Sequence, residues 1–306
     1  MGKIIIKRLL QTIPTLLVVV TLTFCLTRML PGDPAVAILG IEANAEDIEA
    51  MKAEMNLDKS LPEQYALYLG GLVHGDFGYS YSYRQDVLPL ITSRIPNTLT
   101  LTLTALLFAF IIGTSVGIIA ALKQNTLFDY IVMVITLVGV SMPIFWLAVM
   151  LIMLFSLKLG WFPVFGAKQW SSIVLPAISL GLMNMASIAR TTRSSMLDVL
   201  GQDYIRTARA KGVSGKKIIF GHALKNSLIP VITYFGPMLA FIVTGSMVVE
   251  QIFAVPGIGR QFVSSITNRD YTMIMGTTIF LASLIVIMNL ISDLLYKVVD
   301  PRIDYE

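Results

Sequence analysis

Cysteine and histidine are nearly missing from this sequence: Cys25 stands alone, and only His74 and His222 carry imidazoles. One cysteine excludes an intrachain disulfide, and neither a paired-cysteine motif nor His-Glu-x-x-His occurs. Cys25 lies in an apolar run, where a free cysteine serves as a small apolar filler. Charge is scarce too. Only 14% of residues are Asp, Glu, Lys or Arg, against 55% apolar, whereas soluble proteins average about 25% charged. A phosphate-binding loop is also lacking. The nearest stretch, Gly212-Val213-Ser214-Gly215-Lys216-Lys217, sets its glycines too close together and puts Lys217 where Ser or Thr should hold magnesium. Asp76, in the Gly-rich stretch after His74, reads as a turn former. The chain is expected to have no catalytic residues, to bind no metal or cofactor and to be no enzyme.

What is present is a set of apolar blocks. Runs free of Asp, Glu, Lys, Arg and His cover 9–27, 97–122, 130–157, 170–189, 226–249 and 271–292. Each approaches or exceeds the ~20 residues a helix needs to cross about 30 Å of hydrocarbon. Barrel strands would instead alternate over segments of about 10 residues. Six helical spans are therefore expected. The first begins like a signal peptide, after Lys3, Lys7 and Arg8. Its run is longer than a signal core, however, and Arg28, Pro31 and Pro34 precede the small residues Ala35-Val36-Ala37, so it reads as a retained helix. Spans without ionisable groups argue against a proton relay. They leave sodium coupling through carbonyl oxygens open, but an energy source outside the chain is the simplest expectation.

Basic residues set the orientation. The segment 190–227 carries Arg190, Arg193, Arg206, Arg209, Lys211, Lys216, Lys217 and Lys225 against Asp198 and Asp203, while 29–96 is acidic. Both termini and the basic loop are thus expected in the cytoplasm. The net positive charge is a topology signal, and nucleic-acid binding is a poor reading of it.

Several local signals follow. Asn44 with Asp47, and Ser60 with Pro62 and Glu63, read as helix starts in the outer segment. Gly113 and Gly117 are spaced for close helix packing. Pro143 should kink the third span; it marks either a pathway wall or a purely structural bend. Asn184 and Phe235 suit a neutral pathway but equally suit packing. Trp161 and Trp170 read as interface anchors. Glu250, Pro256, Gly257 and Gly259 read as a compact outer turn. In the basic loop, Asp203 can cap a helix over 204–211 and Gly212 can end it. Such a helix could transmit a push between membrane helices, or lie on anionic lipid.

The stretch Arg206-Thr207-Ala208-Arg209-Ala210-Lys211-Gly212 resembles the signature loop of binding-protein-dependent ABC importers in its peptide-permease form. The wider family places Glu-Ala-Ala before that glycine; here Arg206-Thr207-Ala208 stands there, without the Glu. Further likenesses, in order along the chain, are Pro31-Gly32-Asp33-Pro34, Gly75-Asp76-Phe77-Gly78, His222-Ala223-Leu224-Lys225-Asn226, Thr244-Gly245-Ser246, Pro256-Gly257-Ile258-Gly259 and Asn268-Arg269-Asp270-Tyr271.

The resemblance implies an all-α polytopic membrane protein of six transmembrane helices, with both termini inside. It implies the type I importer fold, with an extracytoplasmic segment between helices 1 and 2. The divisions would be 1–28 for the N-terminus and first helix, 29–96 for the outer segment, 97–296 for the transmembrane core with its coupling loop 190–227, and 297–306 for a cytoplasmic tail. It also implies a bacterial inner-membrane location and a peptide substrate. The partners would be a similar second permease, two ATP-binding subunits holding ATP and magnesium, an extracytoplasmic binding protein and the surrounding membrane lipid. Asp203, Tyr204 and Arg206 to Gly212 would dock an ATPase, and the loop from Glu250 to Gly259 would turn toward the pathway. Permeases for nickel chelates or glutathione look much alike.

Overall fold

The computed structural model describes residues 2–40, 42–167 and 169–299, but not the side chains of 2–9, 233–237, 239–241, 293 and 295–299. The basic groups of Lys3, Lys7 and Arg8, the Phe235 ring and most of the tail 297–306 thus lie outside the described residues. The helices are α1 Gly2–Met29, α2 Pro34–Leu39, α3 Ala45–Glu54, α4 Leu61–Val73, α5 Val87–Leu122, α6 Leu127–Ser141, α7 Ile144–Leu151, α8 Ser171–Leu200, α9 Asp203–Ala210, α10 Gly215–Lys217, α11 Leu224–Ser227, α12 Ile229–Ile252, α13 Ile258–Thr267 and α14 Tyr271–Val299. Wider π-helical turns occupy Ile152–Lys158 and Ile218–Ala223. A short hairpin pairs β1 Tyr79–Ser80 with β2 Gln85–Asp86, antiparallel, Tyr79 opposite Asp86.

Among the described residues, four helices are long and apolar enough to cross a membrane, or five spans if Leu127–Ser141 and Ile144–Lys158 form one broken span. The kink expected at Pro143 is there, and it is sharp: the two segments turn by 109°. Pro143 has no N–H to continue the helix, and it holds Met142 extended at φ −75°, ψ 132°. The apolar run 226–249 falls largely within α12, 24 residues long.

The described chain divides into two compact units, Thr98–Val255 with the end of α14 from Ile287, and Gly2–Asn97 with Pro256–Val286. In the first, buried Leu101 and Ala105 of α5, Leu180 and Ile188 of α8 and Ile242 and Val249 of α12 share one core. Small residues bring α5 and α8 together. A Cβ on Gly117 would stand 2.5 Å from the Ala189 carbonyl oxygen, and one on Gly181 2.7 Å from that of Ala105. The glycine spacing read in the sequence is therefore packing between backbones. Exposed Leu127, Ile131, Val134 and Ile135 of α6 present an apolar face, as a helix surrounded by lipid requires.

The second unit knits the outer segment to the start of α14. Asp33 caps α2 by accepting the Ala35 N–H at 3.0 Å, and pairs with Lys52 of α3 at 2.5 Å. Ser60 and Glu63 form a capping box at the start of α4. Asn44, by contrast, makes no side-chain cap to α3. Asp270 is buried, accepts the Met273 N–H at 3.0 Å and takes the Ser80 hydroxyl at 2.5 Å. A Cβ on Gly78 would meet the Thr272 side chain at 2.5 Å. The motifs around Gly32, Gly78 and Asp270 thus serve one piece of architecture.

Candidate functional site

The basic loop folds around α9. Its start differs by one residue from the sequence reading: Gln202 is the extended cap residue and Asp203 opens the helix with no side-chain cap. The end is a full left-handed stop. Gly212 has φ +77°; its N–H donates to the Arg209 carbonyl at 3.0 Å, and the Val213 N–H to that of Ala208 at 3.1 Å. This reciprocal pair is a Schellman motif, and it satisfies carbonyls that an open helix end leaves unpaired.

One residue anchors α9. Ile205 is 0% exposed and sits with Ala121 of α5, Met196 of α8, Ile218 and Ala223, while Ala208 and Val213 pack against the same cluster. Burying such a side chain contributes about 1.5–3 kcal/mol. A second tie joins Asn226 Nδ2 to the Tyr204 hydroxyl at 2.9 Å. Asp203, Arg206, Thr207, Arg209, Ala210, Lys211 and Gly212 remain exposed. Arg206 and Asp203, 3.6 Å apart and almost fully in solvent, add little to stability. The result is a short basic helix held from behind, its outer face free. The half-buried Ala208 belongs to the inner face, so its small size serves the anchor, and Ala210 is the small residue that a partner could approach.

An ion pair missed in the sequence lies close by. Asp129, in the first turn of α6, receives Arg193 Nε at 2.5 Å and Nη2 at 2.6 Å, and the Asn125 N–H at 3.1 Å. Its carboxylate is almost wholly buried and Arg193 about a fifth exposed. The fork of two parallel bonds fixes α6 against α8. Only the lone acid just before the third apolar run hinted at it.

The remaining sequence candidates are separately placed. Pro143 caps α7. Asn184 is buried, and its Nδ2 donates to the Leu180 carbonyl of its own helix at 3.2 Å. Glu250 is corrected: it lies in the last turn of α12, fully buried, where its Oε1 accepts the Thr98 hydroxyl at 2.7 Å. Pro256, whose carbonyl accepts Asn97 Nδ2 at 2.9 Å, and Gly257 lead into α13. Gly259 is buried within α13, so a helix follows where the sequence suggested a turn alone.

The described residues thus combine long apolar helices with a short basic helix that is buried on one face and exposed on the other. The chain matches two family models: "Binding-protein-dependent transport system inner membrane component" over residues 113–305, and the corresponding N-terminal family over residues 1–102. It belongs to that family and is an inner-membrane permease of an ABC importer. A Brucella suis biovar 1 protein named as a peptide transport system permease is 42% identical over 314 residues, covering 100% of both chains. The glutathione transport system permease GsiC of Escherichia coli K12 is 44% identical over 302 residues, covering 99% of both. Among solved structures, an inward-facing MetNI methionine ABC transporter aligns with TM-score 0.57 at 20% identity, over 69% of this chain and 97% of that one. An amino acid ABC transporter aligns with TM-score 0.52 at 17% identity, over 71% and 95%.

Proposed function

We propose that this permease forms half of the translocation pathway for short peptides and is driven by ATPases that dock on α9. The observation that carries the reading is a basic helix whose inner face is fixed by Ile205 while Arg206, Thr207, Arg209, Ala210 and Lys211 stand free. A push there reaches α5 and α8 through Ala121 and Met196, and α6 through the Asp129–Arg193 pair. The chain crosses the membrane six times, counting the broken pair and α12 as one span each, with α9 in the cytoplasm. Its partners are a similar permease, two ATP-binding subunits that hold ATP and magnesium, and an extracytoplasmic binding protein. The chain itself holds no cofactor and catalyses no reaction. Residues 29–96 form the outer segment and 97–296 the core.

Full-length identity to both peptide and glutathione permeases favours a substrate with peptide bonds, glutathione being a tripeptide itself. The test is uptake into proteoliposomes holding the complete transporter, with labelled dipeptide, oligopeptide, glutathione or nickel chelate. ATP-dependent uptake of a peptide is expected. Uptake by this chain alone on an ion gradient, or of nickel chelate only, contradicts the proposal.

A further inference from the structure

The segment between α10 and α12 carries an exposed aromatic ring among lysines, which the docking reading does not use. After α10 the chain passes through the π-helical turns Ile218–Ala223. Both ends of that stretch are fixed: Ile218, 4% exposed, and Ala223, 0% exposed, belong to the cluster around Ile205. The i to i+5 bonding of such wide turns brings residues five apart to one side, so the middle of the stretch is turned away from the cluster. Phe220 stands there, 67% exposed. Lys216, Lys217, His222 and Lys225 flank it in the chain and are exposed as well.

Charge there is of one sign. No Asp or Glu occurs from Tyr204 to Val249, and among the described residues none of the three lysines pairs with a carboxylate. The acid nearest in sequence, Asp203, lies beside Arg206 instead. Lys225 immediately precedes the uncharged run 226–249, most of which is α12. The surface therefore lies where the chain enters hydrocarbon, at the depth of lipid headgroups. A phenyl ring in water forgoes the gain of burial. At a lipid surface the ring enters the upper acyl chains while the lysine ammonium groups reach the phosphates. An acidic protein groove would satisfy the lysines but would not explain a place at the membrane boundary.

We propose that Phe220 with Lys216, Lys217 and Lys225 forms a binding surface for anionic phospholipid of the adjoining leaflet. The ring holds the segment at the boundary, and the lysines select a headgroup of net negative charge over a zwitterionic one. Lipid bound there bears on the same cluster that anchors Ile205, so the charge of the leaflet steadies the base of α9. Binding needs neither ATP nor a protein partner, and it stands or falls apart from the docking reading.

Photocross-linking tests it. The phenylalanine analogue p-benzoylphenylalanine is placed at position 220, and the chain is set in nanodiscs of equal parts phosphatidylglycerol and phosphatidylcholine, alone and in the complete transporter. Mass spectrometry then reads what the ring captures on illumination. A lysine near an anionic leaflet strengthens attraction about 5-fold. Phosphatidylglycerol adducts are therefore expected to exceed phosphatidylcholine adducts at least about 5-fold in both preparations. Lys216→Gln, Lys217→Gln and Lys225→Gln combined, all at exposed positions, should bring the two adducts to parity. Equal adducts with the lysines intact, or an excess unchanged without them, overturns the proposal. So does an adduct with an ATP-binding subunit in place of lipid, or no lipid adduct at all.

Discussion

Replacing Gly212 by valine isolates what the left-handed stop of α9 contributes. At φ +77°, an added Cβ meets nothing within 4 Å, so the cost is backbone strain and not collision. An L-residue in this region costs roughly 1–2 kcal/mol, and a β-branched one is less tolerated still. That is a factor of about 5–30 in the equilibrium between the closed and the frayed helix end. The closed end holds the Val213 N–H on Ala208 and the residue-212 N–H on Arg209, so the readout is amide exchange at residues 212 and 213. Exchange there is expected to quicken about 5–30-fold in Gly212→Val. Gly212→Asn should change it less, because asparagine tolerates this conformation. Membrane insertion stays normal, while ATP hydrolysis by the complete transporter loses its link to uptake. Wild-type exchange at both amides in the valine variant would refute the role assigned to the motif.

Asp129→Asn leaves the Arg193 guanidinium without its carboxylate. Breaking a buried pair costs about 3–5 kcal/mol, and the partial exposure of Arg193 puts the expected loss near about 3 kcal/mol, read by denaturant or thermal unfolding of the detergent-solubilised chain. Asp129→Leu combined with Arg193→Met should recover most of it, and a loss under about 1 kcal/mol in Asp129→Asn contradicts the pair's importance. Asp33 gives a pH dependence. Burial opposes its ionisation, but the Lys52 ammonium and the N–H groups of Ala35 and Val36 outweigh this and hold the carboxyl below its ordinary value. A lowered folded value means that stabilisation is full above the unfolded carboxylate pKa and is lost as pH falls through the folded one, below about pH 4. Protection of the α2 amides, taken relative to intrinsic exchange at each pH, should fall across that window in the wild type and stay flat in Asp33→Asn, which still caps the helix.

Much of the membrane architecture is legible in the sequence, because lipid demands long uncharged helices and tolerates few alternatives. The runs that became α1, α5, α8 and α14 stand out on that ground alone. The third run was legible as apolar and as bent at Pro143, but the size of the turn was not, since the direction a chain takes after a proline depends on what the following turns pack against. Gly212 announced the end of α9 because its conformation is local. Its start was off by one, since an extended residue such as Gln202 can take the cap position without a side-chain bond. The inner placing of Ala208 needed the Ile205 cluster, assembled from α5, α8 and the turns after α10. Asp129 and Arg193 are 64 residues apart, and no periodicity links them. Glu250 looked like a loop residue because the sequence does not show the Thr98 hydroxyl waiting beside it.

The docking of a motor on α9 is tested most directly by cross-linking. With Cys25, the single cysteine, replaced by serine, a new cysteine is placed at exposed Thr207 or Ala210, and a control at buried Ile205. The assembled transporter is then treated with a short linker that joins a cysteine thiol at one end to a lysine amine at the other. Cross-links from positions 207 and 210 to an ATP-binding subunit, with a yield that changes on adding ATP, and none from position 205, are the predicted result. Absence of any cross-link from the exposed face of α9 in a transporter that still imports its substrate would contradict it.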